Sequence, residues 1–231
     1  MVRKEVFVVS LGGSLIVPKS GVDVAFLKKF RSAILSLSKD FKFVVVCGGG
    51  SIARTYITGL RNGGIEDYLQ SLIGISVTRT NARFMNYFFG RDQDSGIPHD
   101  MKHVKSLLTR NDLVFCGALR YGPDQTSDST AVSLANYLKA KFINLTNVDG
   151  LFDKDPRKYK NSKFIKSISS ADLFKLANSM VYKPGQHFII DQKASRLIRD
   201  HKVKSFILGN SMKNFQNLVR GRKFRGTEVL V

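Results

Sequence analysis

The chain has 231 residues, 43% of them hydrophobic, and 37 Lys and Arg against 18 Asp and Glu, a formal net charge of +19. That length suits one large α/β domain, and no apolar run approaches the roughly 18–20 residues needed to cross a bilayer, which excludes a spanning helix. The positive charge suits nucleic acid, anionic lipid or phosphorylated small molecules and does not choose among them. The basic start, MVRKEVFVVSLGG, echoes a signal peptide, but glycine breaks its short apolar run and no small-residue cleavage site follows, so a buried first strand is expected. Cys47 and Cys116 stand apart at the ends of apolar runs, as buried free thiols of a cytoplasmic protein would.

Taken in chain order, EVFVVSL (5–11) is a β-branched apolar run of the kind buried on both faces of a sheet. Apolar residues at 26, 27, 30, 34, 35 and 37 recur at helical spacing across 23–38. KFVVVCGGG (42–50) repeats the strand-then-glycine pattern and leads at once into a helix at SIARTYITGL. A further helix is expected over about 66–89, a Gly- and Pro-containing loop at 90–100, and a short helix near 101–109. Then come strand DLVFCG (112–117), loop ALRYGPDQT, helix 128–139 and strand KFINLTN (141–147). A long irregular stretch precedes helices near 170–177 and 190–201, and strand KSFIL (204–208), a short helix and strand TEVLV close the chain. This alternation predicts a three-layer αβα sandwich around a mostly parallel sheet. In such sheets the ligand lies beyond the carboxyl ends of the strands.

The unusual residues gather at those ends. Gly12-Gly13-Ser14, Gly48-Gly49-Gly50, Gly117 with the loop to Ser127, and Thr146-Asn147 all follow expected strands. Glycines there let backbone N–H groups approach phosphate oxygens, and a following helix N-terminus adds partial positive charge. The same turns also serve tight packing alone. Neither cluster is a P-loop or a dinucleotide fingerprint, because the spacing of both is absent. Arg54 falls one turn inside the helix after Gly50, where its planar fork could meet phosphate or simply pair with a carboxylate. Thr126-Ser127-Asp128-Ser129 is a dense helix-capping signature. TNVDGLFDKDP (146–156) turns at Asp149-Gly150 and carries further carboxylates, suiting either a metal or ribose contact or a plain surface turn. The densest basic cluster is RGRKFRG (220–226), which would need to join a surface stripe to hold nucleic acid.

GGS after the first strand, GGGSIAR, IGISVTRTNA (73–82), TSDSTAVSLA, TNVDGLFDKDP and KPGQHFIIDQKA (183–194) occur in the order found in the amino acid kinase superfamily. The set resembles most the archaeal-type uridylate (UMP) kinases, over nearly the whole chain and most weakly from about 85 to 116. The resemblance implies a single amino acid kinase-like domain over 1–231, with an acceptor-binding part of roughly 1–125 and an ATP-binding part of roughly 126–231. It implies ATP-dependent phosphorylation of UMP, Mg²⁺ carried on the ATP phosphates, and a homo-oligomer, dimer or hexamer. By residue, it implies ATP contacts at Gly13, Ser14, Gly50, Arg54, Thr146, Asn147, Phe152 and Asp155. The acceptor would meet Gly49, Ser71, Gly117, Thr126 and Ser127, while Arg54, Asp128 and Lys183 would serve the transfer itself.

The departures are specific. Ser10 stands where many superfamily members carry a lysine, which not all archaeal members keep. Ser71 stands near the usual ribose-binding aspartate, Phe152 replaces a common tyrosine, and Ala118 replaces a second glycine. Two other functions therefore stay open at this level: kinase activity on another small acceptor, and a catalytically silent protein that binds nucleotide or nucleic acid.

Overall fold

The computed structural model describes residues 4–92, 96–122, 125–154, 156, 159–179 and 190–231. The first strand, β1 (Glu5–Leu11), leads through a one-turn helix α1 (Gly13–Ile16) to α2 (Val24–Leu37). Strand β2 (Phe41–Cys47) is followed by α3 (Gly50–Asn62), α4 (Asp67–Phe88) and α5 (Met101–Arg110). Next come β3 (Leu113–Cys116), α6 (Ser127–Leu138) and β4 (Lys141–Leu145). The following stretch holds β5 (Leu151–Phe152), β6 (Phe164–Ile165) and β7 (Ser167–Ser169), then α7 (Ser170–Ser179) and α8 (Gln192–His201). Strand β8 (Ser205–Leu208), α9 (Met212–Val219) and β9 (Thr227–Leu230) complete the described elements.

Seven strands form one sheet in the order β3-β2-β1-β4-β8-β9-β7. Strands β3, β2, β1, β4 and β8 run parallel, β9 is antiparallel to β8, and β7 is parallel to β9. The five parallel strands are apolar because helices cover both faces, which leaves no face for polar alternation. Successive residues of β1 show this directly. Phe7, Val9 and Leu11 enter one core with Phe30, Phe43 and Phe215, whereas Val8 enters the other with Val44, Val114 and Phe142. Helices α2 and α9 cover the first face, and α5, α6 and α8 the second. The expected three-layer αβα sandwich is thus the observed architecture.

Capping residues set the helix starts. Asp23 accepts from the N–H of Phe26 at 2.9 Å, Asp100 from His103 at 2.8 Å, and Asp191 from Ala194 at 2.8 Å. The bounds of the expected elements follow the sequence within a residue or two; the one-turn helix α1 is an addition, and one stretch is corrected. The stretch expected to be irregular after 147 contains the β5–β6 hairpin and the edge strand β7. Strands of two or three residues carry no readable periodicity; their pairing partners define them. Cys47 and Cys116 are both free thiols, and both are fully buried. Burial pushes the Cys116 thiol up to about 12 and raises that of Cys47 as well. No helix of the described residues is long and apolar enough to cross a membrane.

Candidate active site

The strand order reverses at β1: the chain moves outward to β2 and β3, then returns to β4 on the other side. Such a switch point opens a crevice beyond the carboxyl ends of the two central strands. Here the crevice has a glycine floor. Gly12 donates its N–H to the Leu145 carbonyl at 3.1 Å, and Gly48 donates to that of Leu11 at 3.0 Å, so the loops after β1, β2 and β4 are tied together. A Cβ added to Gly13 would lie 2.0 Å from the Gly50 nitrogen, and one added to Gly48 would lie 2.5 Å from the Gly13 nitrogen. Gly50 itself has φ +67, the left-handed region that glycine enters without strain. Both glycine clusters therefore serve close backbone packing. The same packing brings two helix N-termini, α1 and α3, to one spot, and neither has a side-chain cap. Partial positive charge from the two N-termini converges there.

Ser14 is half-buried in α1 beside this floor, and Arg54 is exposed in α3. Among the described residues no carboxylate pairs with Arg54.

A carboxylate cluster closes the crevice on its second side. Ser10 is fully buried in β1, and its hydroxyl donates to Asp128 Oδ1 at 2.5 Å. Asp128 sits in the first turn of α6, whose N-cap Thr126 forms a capping box with Ser129. The Thr126 hydroxyl donates to Asp191 Oδ2 at 2.5 Å, while Asp191 Oδ1 caps α8. Two carboxylates thus face one another where α6 and α8 begin. Burial is the main force on Asp128 and the Asp191 charge adds to it; together they lift its carboxyl to about 7 against the pull of the Ser10 hydrogen bond. Asp191 is raised too, again chiefly by burial. The charge on one carboxylate opposes ionisation of the other, so the two titrate as a pair.

The third side is the loop after β3. Gly117 is jammed against α4: an added Cβ would lie 2.6 Å from the Arg79 nitrogen and from Thr78 Oγ1. The Ala118 N–H donates to Thr78 Oγ1 at 2.9 Å, and Arg79 Nε donates to the Ala118 carbonyl at 3.0 Å, with Nη2 reaching that of Leu119. Asn81 Nδ2 donates to the Gly48 carbonyl at 2.7 Å. The helix α4 segment Thr78–Asn81 therefore holds the β3 loop and the β2 loop at once. These positioning residues were legible only as part of the IGISVTRTNA motif, since helical periodicity says nothing about which carbonyls a side chain will find. Ser71, by contrast, is exposed in the second turn of α4, with its hydroxyl donating to the Asp67 carbonyl at 2.9 Å.

Beyond β4, the Thr146 N–H is held by the Leu208 carbonyl at 2.9 Å, and Asn147 is exposed. The Asp149-Gly150 turn places Phe152 in β5, its ring edge-on to Phe164 with centroids 5.3 Å apart. The C-terminal segment clamps this hairpin. Thr227 is fully buried; its Oγ1 accepts from the Leu151 N–H at 2.8 Å and donates to the Ile165 carbonyl at 2.6 Å. Arg225 Nε lies 3.3 Å from Asp149 Oδ2, with its guanidinium over the Phe164 ring. Asp155 and Lys183, expected at the nucleotide and at the transferred group, lie outside the described residues. The structure therefore brings Gly13, Ser14, Gly49, Gly50, Gly117, Thr126, Ser127, Asp128 and Thr146 around the strand ends, with Phe152 and Asn147 at the β4 side.

A glycine-floored crevice between uncapped helix N-termini is chemistry suited to phosphorylated ligands. The chain belongs to the amino acid kinase family, whose model matches residues 5–209. Among curated relatives, "Uridylate kinase" of Methanococcus aeolicus is 33% identical over 203 residues, spanning 87% of this chain and 89% of the relative. "Uridylate kinase" of Methanobrevibacter smithii is 30% identical over 225 residues, spanning 96% of this chain and 98% of the relative. Among solved structures, uridylate kinase from Archaeoglobus fulgidus superposes with a TM-score of 0.83 at 29% identity, covering 96% of this chain and 99% of that one.

Proposed function

We propose that this protein transfers the γ-phosphoryl group of ATP to UMP, giving ADP and UDP, by direct in-line displacement. The observation that carries the proposal is family membership combined with near full-length similarity, at 30–33% identity, to relatives named uridylate kinase. The crevice supports it physically. Phosphoryl transfer asks a protein for positioning and charge neutralisation far more than for covalent chemistry.

In this proposal the donor phosphates meet the backbone at Gly13, Ser14 and Gly50, with Arg54 beside them. The adenosine lies by Thr146, Asn147 and Phe152, and Asp155 belongs to the same pocket. UMP lies by Gly49 and Gly117 and at the α6 N-terminus with Thr126 and Ser127, with Ser71 the candidate nearest its ribose. Asp128, oriented by Ser10 and balanced against Asp191, orders the groups around the transferring phosphoryl, and Lys183 adds positive charge. Among the described residues no cluster of three or more His, Cys, Asp or Glu could hold a metal by itself. Mg²⁺ is assigned to the ATP substrate, where it would supply the charge neutralisation that Ser10 cannot. We place the activity in the cytoplasm, in pyrimidine nucleotide synthesis, and in a dimeric or hexameric assembly.

A coupled ADP-release assay with MgATP across the nucleoside monophosphates and unrelated small acceptors tests the reaction. UMP should be turned over fastest. Turnover of another acceptor with none of UMP would leave a kinase and overturn its specificity. Nucleotide-induced thermal stabilisation without any turnover would overturn the kinase as well.

A further inference from the structure

The net charge of +19 far exceeds what Arg54 and Lys183 would bring to a nucleotide crevice, and its distribution points elsewhere. Residues 24–39 and 209–227 carry four and five Lys or Arg respectively and no Asp or Glu. The fold packs these two segments side by side. The Phe30 and Phe215 rings of α2 and α9 meet at 6.4 Å, and Arg220 Nη2 lies 3.4 Å from Ser36 Oγ of α2. Lys29 stands two helical turns before Ser36 and so shares its stripe. Lys28, Lys29, Lys39, Arg220, Arg222 and Lys223 are all exposed. Among the described residues no carboxylate pairs with any of these six. This face covers the opposite side of the sheet from α6 and α8, which carry the Asp128–Asp191 pair.

We propose that the α2–α9 face, with the 220–223 turn, binds duplex nucleic acid through its phosphate backbone without reading the bases. The 14 residues of α2 span about 21 Å, a length along which duplex DNA presents roughly a dozen phosphate charges. Single strands are gripped by stacking bases on aromatic side chains. The exposed aromatics of the described residues are tyrosines at 56, 68, 87, 121, 137 and 159, none in the two basic segments. An anionic membrane would be gripped by an apolar face lying beneath the charges. The exposed large apolar residues of the two segments are only Val24 and Leu35. A rigid, uniformly charged rod is the partner whose chemistry fits.

The test is fluorescence anisotropy of labelled mixed-sequence DNA and RNA duplexes over a range of salt, using the full chain. Log affinity should fall linearly with log salt. The triple variant K29E/R220E/K223E should bind at least about tenfold more weakly and flatten the slope by about 2.7, at roughly 0.9 for each phosphate no longer neutralised. A control triple with the same change in charge on other exposed sites, K102E/R110E/K166E, should lose less than about a third of that slope. K29Q/R220Q/K223Q should fall between parent and reversal, and ADP release by each variant reports its folding. Equal loss in the two charge-reversed triples would mean a diffuse field and overturn the proposal. So would displacement of the duplex by saturating MgATP and UMP, or tighter binding to single strands or to phosphatidylserine vesicles.

Discussion

At Ser10 a small hydroxyl occupies a fully buried position facing a carboxylate, and the chemistry of the crevice turns on that pair. The Ser10 hydroxyl donates to Asp128 and favours its charged form, opposing burial and the Asp191 charge. Ser10→Ala should therefore raise the Asp128 carboxyl further, shifting the acidic limb of the kcat/KM–pH profile upward; an unmoved limb would separate Asp128 from that limb. Asp128→Asn keeps the shape and removes the charge, and turnover should fall about a hundredfold or more, as when reacting groups are misplaced. The same pair predicts a pH dependence of stability. Both carboxyls are raised in the folded chain, so the folded state holds more protons than the unfolded state above about 4. The Asp128 contribution is complete below that pH and is lost as pH rises through about 7, and the raised Asp191 carboxyl acts in the same direction. Chemical denaturation from pH 5 to 8 should show stability falling, and the fall should be shallower in Asp128→Asn. A steeper fall in the variant would contradict the assignment.

Among the elements, the loops and the short hairpin decide the site more than the long helices do. Gly13→Ala would drive a Cβ to 2.0 Å from backbone, where no side chain can give way. The β1 and β2 loops must part, at a cost of about 1–3 kcal/mol, with loss of turnover beyond what the lower melting temperature explains. Thr227→Val keeps the shape but deprives the Leu151 N–H and the Ile165 carbonyl of their partner. Each orphaned buried group costs about 1–3 kcal/mol. Because the hairpin carries Phe152, KM for ATP should rise more than KM for UMP, and an equal rise in both would place the hairpin away from the donor. Sequence patterns predicted the long elements well, since a buried strand or amphipathic helix repeats its signal every two or three to four residues. They said nothing of β5, β6 and β7, which exist because Thr227 and its neighbours complete their hydrogen bonds.

The whole molecule carries a charge excess that opposes its own compaction. Raising ionic strength from about 0.01 to 0.15 M shortens the Debye length from roughly 30 to 8 Å and screens that repulsion. The melting temperature should rise over this range, most of all in the parent chain and less in K29E/R220E/K223E. A melting temperature that falls with salt would mean that local ion pairs, such as Lys4–Asp112 at 2.7 Å, outweigh the global repulsion.

The sequence by itself determined the alternation of strands and helices, the capping signature of α6 and the glycines at strand ends. Those features are local: periodicity, β-branching and capping chemistry act within a few residues. Tertiary structure decided what the glycines are for, since Gly13 and Gly50 meet only when β1 and β2 pair. It also joined Ser10 to Asp128 across 118 residues and Thr126 to Asp191 across 65. The raised carboxyls of Asp128 and Asp191 and the basic face of α2 and α9 arise from proximity in space, which composition and spacing do not encode.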